Sequence, residues 1–472
     1  GRGRTDTSSG GQKPYCPSDR RDSFTRLYPP QDTKPHRKPP NGEGRIIFHT
    51  TKTMNMNSKN KSYNGYNAIF TRKDRNKTIL IPWFTDFLSP MIPAVAKIAG
   101  YNFVNCPKTS KQSAEMGLKF GHNEVCYPAT LVLGDLIAEI QTGRYNIEDL
   151  AVAITQTGGQ CRATNYLSFI KTGLKNAGYG QIPVISVSVG GVHQNEQPGF
   201  KLPIFRILPL VINAFLFGDS LNQIFASAVA RERIKGQSER LFDKYMQLAV
   251  SLIEKREHKK LLPLLQSAVA EFDTIDIVED RKIEKIGLIG EIFVKYNNYG
   301  QANITRWLRE QGFEVIAPPM IHFFTQTFVN QEINIKNGLS KFNFLQKVLL
   351  LFFQRLFDKK MAKIRAILTK SKFYTPHKSV FEIAKYAKDI IDLSNQFGEG
   401  WLIAGDIANF SREGINRVVC VQPFGCIANH IVAKGIERRI KEFYPEMNLL
   451  FLDIDGGMAE VNLQNRLKFL IN

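Results

Sequence analysis

Three cysteines share one local context. Cys126 stands two residues ahead of Pro128, where Leu133, Leu136, Ile137 and Ile140 begin to line one helical face. Cys161 follows the buried-strand pattern of residues 150–155 through Gly158 and Gly159. Cys426 follows the β-branched run Val418-Val419-Cys420-Val421 through Pro423 and Gly425, after which Ile427, Ile431, Ile436 and Ile440 recur at roughly helical spacing. Each pattern places a thiol where the chain enters a helix. Free N–H groups and the helix dipole favour thiolate there, the form that binds metal and accepts hydrogen bonds. Three thiolates from separate loops, with no fourth in equivalent context, suit a cubane [4Fe–4S] cluster with one open iron. Two other readings use the same residues. Zinc would want a fourth ligand, for which His122 and His430 are candidates, and Cys426 with His430 has the spacing of a nucleophile–base pair.

The remaining chemistry is weaker. Cys420 lies inside its strand between Val419 and Val421 and reads as a packed thiol, a ligand role being the alternative. Cys106 has no glycine or helix start beside it and reads as core or loop, and Cys16 lies outside any motif. Six cysteines in 472 residues are too few for a disulfide scaffold. Arg162, Asn165 and Tyr166 are either donors around Cys161 or plain helix residues. Gly287-x-x-Gly290 lacks the dinucleotide fingerprint and no phosphate-loop pattern occurs, so the chain shows no ATP site of its own. Asp453-Ile454-Asp455-Gly456-Gly457 begins like a calcium loop, but the spacing to Glu460 is wrong, which leaves a carboxylate-capped turn.

The elements that must position these residues alternate. Short apolar strands near 78–82, 101–104, 150–155 and 183–187 are separated by helical patterns, and the alternation restarts at 286–290, 313–316, 417–421 and 449–453. Strand–helix alternation predicts parallel sheets covered by helices on both faces. The expected fold is therefore α/β, with two doubly wound, Rossmann- or flavodoxin-like halves carrying helical insertions. The expected divisions are a disordered basic Gly/Pro/Ser-rich tail over 1–60, a first α/β domain over 61–198 with Cys126 and Cys161, a helical insertion over 199–280, and a second α/β domain over 281–472 with Cys426. The second domain carries its own insertion at about 322–394, ahead of Trp401-Leu402-Ile403-Ala404. The run Val348-Leu349-Leu350-Leu351-Phe352-Phe353 is too short to span a bilayer and reads as a core helix, so no membrane association is expected.

A net charge of +20 fits a polyanion, a membrane surface, an acidic partner or a phosphorylated substrate, and does not choose among them. The aromatic residues sit on apolar faces rather than between basic ones, which disfavours nucleic acid. Sparse cysteines and no apolar N-terminal signal core lead to a cytoplasmic, reducing compartment as the expectation.

At its longest motifs the chain resembles a known family. Asn123-Glu124-Val125-Cys126-Tyr127-Pro128, the stretch from Gln156 through Thr157-Gly158-Gly159-Gln160-Cys161 to Tyr166, and Val421-Gln422-Pro423-Phe424-Gly425-Cys426-Ile427-Ala428-Asn429-His430 carry the resemblance. Gly398-Glu399-Gly400-Trp401 and Glu460-Val461-Asn462-x-x-Asn465-Arg466 add to it. Together they resemble the C-terminal half of the large 2-hydroxyacyl-CoA dehydratase activase-related proteins, over roughly residues 76–472. That half is similar to the iron–sulfur subunits of the dehydratases and to double-cubane-cluster reductases. The resemblance implies low-potential, oxygen-sensitive one-electron chemistry, an ATP-hydrolysing activator as partner, an acyl-CoA substrate and a dimer. It implies Cys126, Cys161 and Cys426 as ligands of a [4Fe–4S] cluster, with Cys420 the further candidate, and it assigns no catalytic side chain. A double cubane would need about six thiolates and is disfavoured. The ATPase portion that precedes this region in the large proteins is missing, so the chain is expected to be a fragment or to use a separate activator.

Overall fold

The chain builds two four-stranded, all-parallel sheets in which the strand order repeats, β2-β1-β3-β4 and β6-β5-β7-β8. A computed structural model describes residues 68–122, 124–156, 161–188, 197–278, 283–341 and 343–472. The basic tail expected over 1–60 and the glycines at 158 and 159 lie outside the described residues.

The first sheet holds β1 (Thr78–Ile81), β2 (Asn102–Asn105), β3 (Leu150–Gln156) and β4 (Val184–Ser188). Its helices are α1 (Ile92–Ala99), α2 (Lys111–Phe120), α3 (Tyr127–Gln141) and α4 (Tyr166–Asn176). Helices α5 (Ile204–Arg231), α6 (Gln237–Glu254) and α7 (Leu261–Phe272) follow β4. The second sheet holds β5 (Lys285–Gly290), β6 (Glu314–Ile316), β7 (Arg417–Pro423) and β8 (Asn448–Ile454). Helices α8 (Ile292–Tyr296) and α9 (Ile304–Glu310) lie between β5 and β6. Between β6 and β7 come α10 (Ile321–Lys336), α11 (Phe344–Leu368), α12 (Val380–Ala387) and α13 (Trp401–Arg412), and α14 (Glu437–Phe443) and α15 (Glu460–Ile471) complete the chain. The expected α/β fold of two parallel-sheet halves is what the chain forms. Trp401-Leu402-Ile403-Ala404 is the first turn of α13.

Alternation along the strands separates the cores. Val419 and Val421 of β7 join a shared core with Leu80 and Val152 of the first sheet, so the halves are packed on one another. Val418 and Cys420 face the opposite way, against α12 and α13. The insertion has its own core, with Phe217, Leu221 and Ile224 of α5 packed on Met246, Leu265 and Phe272.

Two apolar segments differ from expectation. Phe352 is 56% exposed, and Val348, Leu351 and Phe353 also face solvent, so the run expected as a core helix is an open face of α11. That helix buries its other end instead, through Ile364 and Leu368. Helix α5, by contrast, is long and apolar enough to cross a membrane by length and composition, and it is the one such helix among the described residues. Half of its apolar window is buried in the fold. Asp219 in its middle is sealed by the Met320 and Ile321 N–H groups, at 3.0 and 3.2 Å.

Candidate functional site

The three cysteine loops meet at the carboxyl ends of the two sheets. Cys126 is the N-cap of α3, with Pro128 in the first turn. Cys161 caps the short 3₁₀ turn Arg162–Asn165 that runs into α4. Cys426 follows a turn in which Gly425 takes φ +75°, a left-handed conformation that glycine adopts at little cost. The contacts between loops are direct. The Tyr127 N–H donates to the Phe424 carbonyl at 3.0 Å, joining the first half to the second. Arg162 Nη1 donates to the Glu124 carbonyl at 2.5 Å, joining the Cys161 loop to the Cys126 loop. A Cβ at Gly425 would lie 3.2 Å from Cys126 Cα and 3.0 Å from Arg162 Nη1. The third loop therefore rests on the other two.

Each sulfur has a hydrogen-bond neighbour. The Ala163 N–H donates to Cys161 Sγ at 3.4 Å, Asn429 Nδ2 donates to Cys426 Sγ at 3.1 Å, and the Tyr166 hydroxyl lies 3.6 Å from Cys126 Sγ. Tyr166 is thus a partner of the site and not a plain helix residue, while Arg162 fixes the junction between loops. Asn429 is fully buried, and its own carbonyl accepts from Gln422 Nε2 at 2.8 Å.

The electrostatics reverse the expectation of ready thiolates. Burial pushes the Cys161 thiol up to about 12, and it pushes Cys126 and Cys426 up as well. Loss of water outweighs the dipole of one helix end. Two carboxylates add to the effect: Glu399 acts on Cys161 and Cys426, and Glu291 acts on all three. Glu291 is the N-cap of α8, accepting from Val294 N at 2.8 Å, and Glu399 accepts from Ile292 N at 2.7 Å. Burial raises both acids, the Glu399 charge raises Glu291 further, and the Lys295 ammonium acts the opposite way on both. Burial holds the three thiols protonated, and a bound cationic centre would reverse that.

Neither acid was singled out by spacing, although Gly398-Glu399-Gly400 carries one of them. Glu291 carried no signal beyond its place after Gly290 at a strand end. A like-for-like comparison of the two halves would have marked Glu399.

The other candidates are placed elsewhere. Cys420 is 1% exposed on the far face of β7 and donates to Asn429 Oδ1 at 3.7 Å. Cys106 is packed in the shared core. His430 Nδ1 lies 3.6 Å from Asp453 Oδ1, so its imidazole faces that carboxylate while its backbone N–H bonds to the Cys426 carbonyl. His122 Nδ1 accepts from Glu124 N at 3.2 Å. Asp455 caps its own turn by accepting from Gly457 N at 2.8 Å, the non-calcium arrangement. Helix periodicity after Cys426 is broken by a π-helical turn, Ala428–Ala433, so Ile427 and Ile431 face solvent while Ala428, Val432 and Ala433 are buried.

Among the described residues no group of three or more His, Cys, Asp or Glu side chains is gathered tightly enough to hold one metal ion. Ligands of a four-iron cluster sit on separate irons and stand further apart than ligands of a single ion. Soft sulfur donors from three loops, each with a hydrogen-bond neighbour, fit such a cluster.

A cavity of about 1050 Å³ runs between the insertion and the second sheet, lined by Trp83, Phe225, Lys295 and Arg309 among others. Lys295 belongs to α8, the helix that Glu291 caps. Lys108 and Arg306 in its wall are paired with Asp86 and Glu310. Lys235, Lys295 and Arg309 have no ion pair within 4 Å among the described residues.

The fold and site define a two-half α/β protein with a thiol-lined junction. Comparison with models of known protein families and with curated proteins found no match to this chain.

Proposed function

We propose that this chain is an iron–sulfur protein of the 2-hydroxyacyl-CoA dehydratase type, receiving a low-potential electron from an ATP-hydrolysing activator for reduction or dehydration of an acyl-CoA. The observation that carries the reading is the meeting of the Cys126, Cys161 and Cys426 loops, drawn from both halves, at the carboxyl ends of the sheets. Cys126, Cys161 and Cys426 would hold a [4Fe–4S] cluster, which when bound supplies one-electron storage and a Lewis-acidic iron. Tyr166, the Ala163 N–H and Asn429 orient the sulfurs and offset their charge. Cys420, on the far side of β7, takes no part.

The cavity suits the acyl-CoA part of the reading. Its Lys235 and Arg309, which make no ion pair within 4 Å among the described residues, attract phosphate, and its Trp83 and Phe225 walls bury apolar surface. The basic excess of the whole chain suits docking of an acidic activator. Five free thiols among the described residues fit a reducing, cytoplasmic setting.

Purification without oxygen tests the reading. The expected protein is brown, with iron and acid-labile sulfide in near-equal amounts and an EPR signal on reduction, all lost in Cys161→Ser. A colourless, iron-free protein after anaerobic reconstitution refutes it. If that protein also bound a polyanion with steep salt dependence, unaffected by Cys161→Ser, it would instead be a non-enzymatic basic binding module.

A further inference from the structure

Helices α5, α6 and α7 pack with the second half of α11 into one helical lobe. Asn213 of α5 accepts from Lys360 Nζ of α11, and Arg231 at the far end of α5 donates to the Lys372 carbonyl, just past the end of α11, at 3.4 Å. The two helices therefore run in the same direction, and their N-termini project from the same end of the lobe. At a rise of about 1.5 Å per residue, α11 extends about 24 Å beyond Lys360 and α5 about 14 Å beyond Asn213.

Both projections are apolar on the outside. In α11, Phe344, Val348 and Phe352 recur at four-residue spacing with Leu351, Phe353 and Leu356 beside them, and all six are exposed. In α5, Ile204, Leu208 and Val211 form one exposed stripe, next to which Phe205 is 98% exposed. The stripe runs on into Phe215, whose ring lies 5.2 Å from that of Phe324 on α10, and Phe328 one turn later lies 6.4 Å from Phe357 of α11. Helix α10 thus bridges the two projections. Exposed apolar side chains gathered in this way mark a contact with a protein or a membrane.

The surrounding charges choose between them. The exposed face of α11 that is apolar through Phe352 becomes basic at Arg355, Lys359 and Lys363, again at four-residue spacing. Asn213 also donates to the His258 carbonyl at 3.4 Å, which brings the basic run Lys255-Arg256-Glu257-His258-Lys259-Lys260 against the same stretch. Burial together with Lys259 and Lys360 lowers the His258 imidazole, and burial together with Lys363 lowers the Lys360 ammonium, so like charges are crowded here. Against them stand Asp358 and the acids Glu254 and Glu257, which are paired with Lys97 and Lys260. Lys255, Lys259, Arg355, Lys359 and Lys363 have no ion pair within 4 Å among the described residues. An apolar projection with a basic belt behind it matches the acyl and phosphate layers of an anionic bilayer. A second copy of the chain would set these cations against each other.

We propose that this end of the helical lobe docks on the surface of an anionic phospholipid bilayer, with the exposed side chains of α11 and of the start of α5 among the acyl chains and the basic belt at the phosphates. The run at 348–353 is too short to span a bilayer, but lying on one requires only an apolar face and flanking cations. The proposal is independent of the iron–sulfur reading.

The test sediments the full chain with vesicles of equal parts phosphatidylglycerol and phosphatidylcholine, or of phosphatidylcholine alone. Wild type is expected to sediment with the anionic vesicles and not with the neutral ones. Phe352→Glu and Phe205→Glu should each weaken binding roughly tenfold or more, through the loss of one inserted aromatic ring. Lys359→Gln combined with Lys363→Gln should weaken it by about tenfold or more through the lost charges. Phe469→Glu, at an exposed ring on α15, should bind as wild type does. All these side chains are exposed or half-exposed, so the variants keep the fold, which circular dichroism checks. Absence of binding to anionic vesicles, equal binding to neutral ones, or binding that neither Phe352→Glu nor Phe205→Glu weakens overturns the proposal. So does a wild-type dimer, seen by light scattering, that Phe352→Glu converts to monomer, which would make the face an interface between copies.

Discussion

Replacing Gly425 with alanine probes the closure of the two halves. Gly425 takes φ +75°, where a side chain costs about 1–2 kcal/mol. The new methyl would also stand 3.0 Å from Arg162 Nη1, 3.2 Å from Cys126 Cα and 3.4 Å from the Val125 carbonyl oxygen. The guanidinium can retreat by losing its bond to the Glu124 carbonyl, but the backbone at Cys126 cannot move without shifting α3. Overpacking of this kind costs about 1–3 kcal/mol, for a total of roughly 2–5 kcal/mol. Gly414 provides the control: it also takes φ +75°, with nothing within 4 Å of its Cβ position. Gly414→Ala therefore carries the backbone cost alone, about 1–2 kcal/mol. The assay is urea unfolding followed by the fluorescence of Trp83, Trp307 and Trp401. Gly425→Ala should unfold at clearly lower urea than Gly414→Ala. Variants that agree within about 0.5 kcal/mol would refute the packing of the Cys426 turn on the Cys126 loop.

Two further perturbations separate roles. Asp135 is buried beneath Trp83 N and Thr109 Oγ1, and burial pushes its carboxyl up from 3.8 to about 7. Between about pH 4 and pH 7 the folded chain thus binds one more proton there than the unfolded chain does. Its contribution is full below pH 4 and declines by about 1.4 kcal/mol per pH unit until about pH 7. The stability difference between wild type and Asp135→Asn should decline over that window and level off above it; a pH-independent difference contradicts the burial argument. Cys420→Ala should cost about 1 kcal/mol of stability and leave the iron content unchanged, whereas Cys426→Ser should lower it, and equal iron loss in both would place Cys420 among the ligands.

Much of the site's scaffold was legible in the sequence because strand ends announce themselves. Apolar runs broken by Pro423 and Gly425, or followed by the helix that Pro128 opens, locate the turns, and in open α/β sheets those turns gather at one edge. The side chains around the thiols were less legible. Glu291 and Glu399 reach the junction only because β5 pairs with β7 and α13 packs beneath β5, which are long-range facts. Thiolate was the wrong expectation because a helix end is a local feature, while burial is set by the opposite half. The isoleucine spacing after Cys426 misled only at Ile427 and Ile431, beside the π turn; Ile436 and Ile440 are buried as their spacing predicts.

The junction also fixes an order of events. Cys126 and Cys161 lie close in sequence, but Cys426 follows more than half the chain later. During synthesis the first half emerges and packs before the third loop exists. Loop closure over such a span is slow compared with local helix formation. The pocket of sulfurs is thus among the last parts of the fold to be assembled, and its completion reports that both halves have docked in register.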